Sequence, residues 1–236
     1  MAWSFSRALA RRKLAALAAA IAVAIAIVAL LPIVSGTGKD EPAARQPFVE
    51  IAPRAYILQP PDALARFALV KHDATRFDNA SFAGRWSFVI FGYTSCPDFC
   101  PTTLAEFAEL HRLLTLRSED ARDVQFVLIS VDPERDTPAL LAAYVPQFHL
   151  EFIGVTGAKG ELARLADSVG AVYAKVAGAG DGDYHFDHST AALLIDPEGQ
   201  LRAVFGVPHV AADMATAFAK IRARRGSDRS LTARDR

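Results

Sequence analysis

Trp86-Ser87-Phe88-Val89-Ile90-Phe91-Gly92-Tyr93 leads into Thr94-Ser95-Cys96-Pro97-Asp98-Phe99-Cys100-Pro101. Leu104, Phe107, Leu110 and Leu114 then follow at helical spacing. The first run is almost wholly apolar, as in a strand covered on both faces of a sheet. A buried strand turning into an amphipathic helix places Cys96 and Cys100 at the turn, beside a helix N-terminus. That end carries unpaired N–H groups and a partial positive charge. It favours thiolate over thiol, the form that binds metals and attacks disulfides. These are the only two cysteines of the chain.

Outward from this turn, strand and helix signals alternate. Val124–Val131 reads as a second buried strand. Asp136-Thr137-Pro138 is a helix start, a capping side chain ahead of a proline in the first turn. Leu140, Leu141, Tyr144 and Phe148 continue that helix, Glu151–Val155 is a short strand, and Glu161–Val169 is a third helix. Ala191–Ile195 and Leu201–Phe205 flank Asp196-Pro197-Glu198-Gly199 as an antiparallel hairpin, and Val210–Arg222 closes as a helix. A βαβ start with a ββα finish describes an α/β, thioredoxin-like sandwich.

The N-terminus points to a membrane. Residues 1–13 hold Arg7, Arg11, Arg12 and Lys13 and no acid, and residues 14–34 are uninterruptedly apolar. That run is long enough to cross a hydrocarbon core of about 30 Å, and longer than the roughly 7–15 residues of a cleavable signal. It reads as a retained transmembrane anchor. The preceding charge puts the N-terminus in the cytoplasm. In a bacterium this describes a single-pass inner-membrane protein with a periplasmic main domain, in a compartment that permits disulfides. Residues 35–54 read as a tether, 55–222 as the thioredoxin-like domain, and 223–236 as a disordered tail. Zero net charge argues against nucleic-acid binding.

Two thiols at i and i+4 share one helix face, about 5–6 Å apart at Cβ. They suit a soft metal, or a disulfide if the turn tightens to about 3.8 Å. Thiolates select Cu(I), Zn or iron–sulfur centres, and two cysteines complete neither of the latter. Histidine is the commonest additional ligand. His72, His111, His149 and His209 read as ordinary surface or hydrogen-bonded histidines. His185 and His188 sit in Tyr184-His185-Phe186-Asp187-His188-Ser189, a polar loop before a core strand that the sheet can bring to the cysteine turn. His188 is the stronger candidate, with Asp187 positioned to orient an imidazole.

The stretch from Phe91 to Leu104 closely resembles the cysteine motif of the Sco/SenC family of copper chaperones. Ile129-Ser130-Val131-Asp132-Pro133-Glu134-Arg135-Asp136-Thr137-Pro138 resembles its second block, and Tyr184–Ser189 with Leu194–Gly199 its histidine block. The likeness covers roughly Phe67 to Arg222 plus the anchor. It implies that Cys96, Cys100 and His188 are the metal ligands and that the cofactor is copper, as Cu(I) or Cu(II). It also implies a role in assembling the dinuclear copper centre of cytochrome c oxidase subunit II, with a copper donor as a further partner. Asp98 matches the family and reads as a helix-cap acid. Asp132 and Pro133 read as loop-shaping residues. Phe99 stands where the family commonly has a smaller aliphatic residue.

The reading is therefore a chaperone rather than an enzyme. The alternative is a thiol–disulfide oxidoreductase cycling a Cys96–Cys100 disulfide to reduce the target subunit's cysteines. The four-residue spacing, and Ser189-Thr190 in place of a proline before Ala191, lean toward metal. A thiol peroxidase is disfavoured because no Arg or Lys lies between Trp86 and Glu106. A purely structural disulfide over so short a loop would add little stability.

Overall fold

A computed structural model describes residues 48–117, 122–178, 180 and 182–234. The expected cytoplasmic segment 1–13 and anchor 14–34 lie outside the described residues. Among those described, no helix is long and apolar enough to cross a membrane.

The domain is built on one nine-stranded mixed sheet. Its strands are β1 (Phe48–Ala52), β2 (Ala55–Ala63), β3 (Ala68–Lys71), β4 (Arg76–Asp78), β5 (Trp86–Gly92), β6 (Val124–Ser130), β7 (Ile153–Thr156), β10 (Ala192–Ile195) and β11 (Gln200–Phe205). Their spatial order is β1-β2-β11-β10-β5-β6-β7-β3-β4. Strands β5, β6 and β7 are parallel, joined through α1 (Phe99–Leu116) and α2 (Pro138–Tyr144). The hairpin β10–β11 pairs antiparallel to β5. Helix α3 (Lys159–Ser168) follows β7, and α4 (Ala211–Arg234) follows β11.

Strands β5 and β6 are buried at every residue, as continuous apolar runs require. Alternation splits them between two cores. Phe88 and Ile90 pack with Leu104, Phe107 and Leu110 of α1 and with Met214 and Phe218 of α4. Val89 and Phe91 face the other way, toward Leu162 and Leu165 of α3, in the cluster that also holds Tyr93, Cys96 and Cys100. The cysteines thus close one core rather than decorate a surface.

Local signals set the helix starts. The Thr137 hydroxyl accepts from the Leu140 N–H at 3.2 Å, with Pro138 in the first turn. Helix α2 stops at Tyr144 and continues only as a 3-10 turn, Val145–Gln147, with Pro146 inside it, so Phe148, expected within the helix, lies beyond it.

Two boundaries and one element differ from the sequence reading. The tether expected to reach Arg54 already contains β1, which pairs antiparallel with β2. Phe48-Val49-Glu50-Ile51 is too short and too mixed to announce a strand by itself. The segment read as a disordered tail is helical to Arg234. Ala, Arg and Leu are strong helix formers, and the start of the segment is docked. Arg222 meets Asp123 at 2.7 Å, and Arg225 meets Glu198 at 3.0 Å and lies over the Trp86 ring. Finally, Tyr184–His188 is not a loop but strand β9, paired antiparallel with β8 (Tyr173–Ala177) in a separate two-stranded sheet.

Candidate metal centre

Cys96 lies in the turn after β5 and Cys100 in the first turn of α1. Both are buried, at 8% and 2% exposure, and both are free thiols. The chain makes room for the second sulfur at Gly92. A Cβ there would stand 2.5 Å from Cys100 Sγ and 3.1 Å from Leu128 Cδ1. Glycine is needed at this point for close approach, not for an unusual backbone angle.

The turn is pinned from below. The buried carboxylate of Asp136 accepts from the Thr94 N–H at 2.9 Å, the Thr94 hydroxyl at 2.6 Å and the Ser130 hydroxyl at 2.6 Å. Ser130 ends β6 and Asp136 precedes α2, so one carboxylate joins both crossovers to the cysteine turn. The expected capping role of Asp98 is not observed. Its side chain makes no cap hydrogen bond, and its backbone carbonyl accepts from Thr102 instead. Phe99 is half exposed beside it.

His188 arrives on β9. The strand alternates, with Tyr184, Phe186 and His188 turned inward and His185 and Asp187 outward. His188 Nε2 stands 3.9 Å from Cys96 Sγ and 3.7 Å from Cys100 Sγ. Its Nδ1 lies 2.9 Å from the Ser189 carbonyl. A carbonyl only accepts, so Nδ1 carries a proton and Nε2 is the nitrogen presented to sulfur. The orienting acceptor is therefore this carbonyl and not Asp187, which is exposed and faces His185 at 3.8 Å. His185 does not reach the site.

A clamp fixes the hairpin to the sheet. Arg135 pairs with buried Asp132, donates from Nη1 to the Tyr184 carbonyl at 3.1 Å, and stacks 3.8 Å over the Tyr184 ring. The Tyr184 hydroxyl donates to Asp132 at 3.0 Å. Tyr93 packs edge-on against both Phe186 and His188. Asp132 thus shapes a loop, as expected. The clamp itself was missed in the sequence.

Electrostatics separate the two thiols. A hydrogen bond from Cys100 holds the Cys96 thiol down to about 3, against the cost of burial, with help from His188 and the N–H groups of Asp98 and Cys100. Cys100 is pushed well above its ordinary value by the neighbouring Cys96 thiolate and by burial. The pair holds one proton between them. Burial opposes charge on His188, but the Cys96 contact and the Ser189 carbonyl outweigh it and raise its pKa. Two sulfurs and one imidazole nitrogen, all within 4.8 Å of one another, form a ligand group. This donor set suits a soft ion of low coordination number.

The other histidines are elsewhere. His72 Nδ1 accepts from the Gly154 N–H at 3.0 Å. His209 is buried, not surface, and is bonded to the Thr103 hydroxyl and Phe205 carbonyl. His111 and His149 meet beside Glu151.

Fold and site together define a thioredoxin-fold protein with a thiol–imidazole group, able to hold a metal ion, at the turn after a central strand. Residues 57–223 match the SCO1/SenC family model, and the chain belongs to that family. An SCO2-like protein of Rickettsia felis is 37% identical over 135 residues, covering 57% of this chain and 64% of its own. The crystal structure of Arabidopsis thaliana ScoI with copper bound is 34% identical, with a TM-score of 0.64 over 68% of this chain and 98% of that one. Bradyrhizobium japonicum ScoI with copper bound is 32% identical, with a TM-score of 0.60 over 68% and 98% of the two chains. Both of those structures hold copper, the metal expected from the resemblance.

Proposed function

We propose that this chain is a membrane-anchored copper metallochaperone that holds one copper ion on Cys96, Cys100 and His188. It assists assembly of the dinuclear copper centre of cytochrome c oxidase subunit II. The observation that carries the reading is the convergence of two buried thiols and one oriented imidazole nitrogen from elements 88 residues apart. Family membership and the copper in the two related structures support it.

Each residue has a definable part. Cys96 supplies a ready thiolate. Cys100 gives up the shared proton when the ion arrives, so loading releases protons. His188 offers Nε2 while its Nδ1–H stays on the Ser189 carbonyl. Burial excludes water and competing hard ligands, and two thiolates select Cu(I) over other ions. The anchor at residues 14–34 would keep the domain at the periplasmic face of the inner membrane, beside the oxidase and a copper donor.

In cells lacking their own copy, the wild-type gene is expected to restore copper in the oxidase, and His188→Ala is expected to fail. Equal oxidase copper in both strains would refute the assignment. A second reading, reduction of the target's cysteines, is favoured by the low pKa of Cys96 beside a protonated Cys100, an attacking thiolate with a resolving partner. Full disulfide reductase activity in copper-free His188→Ala would support it.

A further inference from the structure

His111, His149 and Glu151 belong to none of the machinery above. They come from two places: the middle of α1, and the short connection between the 3-10 turn and β7. One ligand atom from each falls within 4.8 Å of the others. We propose that these three residues form a second metal site, for a divalent ion of borderline softness, with Cu2+ held above Zn2+.

The geometry carries this. His111 Nε2 is 3.1 Å from Glu151 Oε2. The two imidazole rings lie 4.1 Å apart between centroids. Donors sharing an ion at about 2.0–2.1 Å stand roughly 2.8–3.0 Å apart when cis on a tetragonal Cu2+ and roughly 3.3–3.5 Å apart on a tetrahedral Zn2+. The His111–Glu151 spacing of 3.1 Å falls between the two. His149 has its ligand nitrogen within 4.8 Å of the other two donors, and drawing it in as the third breaks at most its 3.2 Å hydrogen bond from the Glu151 N–H.

The rings are held by packing. His111 lies edge-on to Phe126, and His149 lies against Phe152. The walls are therefore part of the core, while Glu151 is exposed and leaves the outer side open to water as a fourth ligand. Imidazole and carboxylate suit Cu2+ and Zn2+, and divalent affinity rises from Zn2+ to Cu2+. The donor set is harder than two thiolates and an imidazole, so the two sites would sort copper by oxidation state. His111 lies eleven residues beyond Cys100 on α1, about 16 Å along the helix. One ion cannot serve both.

The simpler account is a surface His–Glu pair that contributes little, and the test separates the two. The full chain, made without an affinity tag, carries Cys96→Ser, Cys100→Ser and His188→Ala to silence the first site. Titration with Cu2+ is followed by electron paramagnetic resonance, with circular dichroism to confirm folding. One Cu2+ per chain is expected, with hyperfine coupling from two nitrogens. Adding His149→Ala should weaken binding at least tenfold and leave one nitrogen. Adding His185→Ala should change neither. Zn2+ should compete for the same ion's place, more weakly. Absence of a stoichiometric Cu2+, or a signal unaltered by His149→Ala in a folded chain, would overturn the proposal.

Discussion

Gly92→Ala changes no ligand, yet it should damage the metal centre. The added methyl would sit 2.5 Å from Cys100 Sγ, about 1 Å inside ordinary contact. Cys100 has one short side chain, buried at the start of α1, and cannot swing away freely. Its sulfur must move by that distance or the strand must bend. Overpacking of this kind costs about 1–3 kcal/mol. Alanine returns about 0.5–1 kcal/mol by restricting the unfolded chain, since Gly92 needs no positive φ. The net loss of up to about 2.5 kcal/mol should lower the melting temperature of the domain by up to about 10 °C. Copper affinity should fall about 10–100-fold, as when a supporting residue misplaces a ligand. Calorimetry and anaerobic Cu(I) competition with a chelator measure the two. The decisive control repeats the substitution with Cys100→Ala, where the sulfur is gone and Gly92→Ala should cost little stability. If the glycine substitution costs the same with and without the sulfur, the close-approach argument is refuted.

Two further outcomes follow from the clamp and the thiol pair. Arg135→Ala removes one partner of a buried carboxylate that keeps the Tyr184 hydroxyl, so it should cost about 1–3 kcal/mol in urea unfolding and speed amide exchange along β9; unchanged exchange at Phe186 would contradict the clamp. With Cys96 held to about 3 and Cys100 raised, iodoacetamide at pH 5 should alkylate Cys96 and spare Cys100. Cys96 reactivity should fall only as pH drops toward 3, whereas an ordinary thiol loses about tenfold in reactivity per pH unit below about 8.5. Equal labelling of both cysteines at pH 5, read by mass spectrometry, would contradict the assignment.

Much of this arrangement could be read before any coordinates. The apolar run from Trp86 to Gly92 and the spacing of Leu104, Phe107 and Leu110 fixed the strand–turn–helix that carries both cysteines, because burial on both faces of a sheet leaves a continuous apolar signature. Thr137-Pro138 marked a helix start because the capping chemistry is local. His188 was harder. Its strand pairs with Tyr173–Ala177 and not with the main sheet, and polar residues on the outward face hid its alternation. The roles of Gly92, Asp136 and Arg135 were not legible at all. A close approach across the turn, a carboxylate satisfied by groups 42 residues away and a guanidinium stacked on a distant tyrosine depend on contacts that no local pattern encodes. The pairing of His111 with His149 is the same kind of long-range fact.

The central claim is that Cys96, Cys100 and His188 hold copper as one set. Anaerobic titration of the reduced full chain with Cu(I), against a chelator of graded strength, tests it most directly in wild type and His188→Ala. One tightly bound ion per wild-type chain, and at least a tenfold weaker one without the imidazole, is the predicted result. Equal affinity in the two proteins, or loss of the wild-type ion to a chelator of moderate strength, would contradict it.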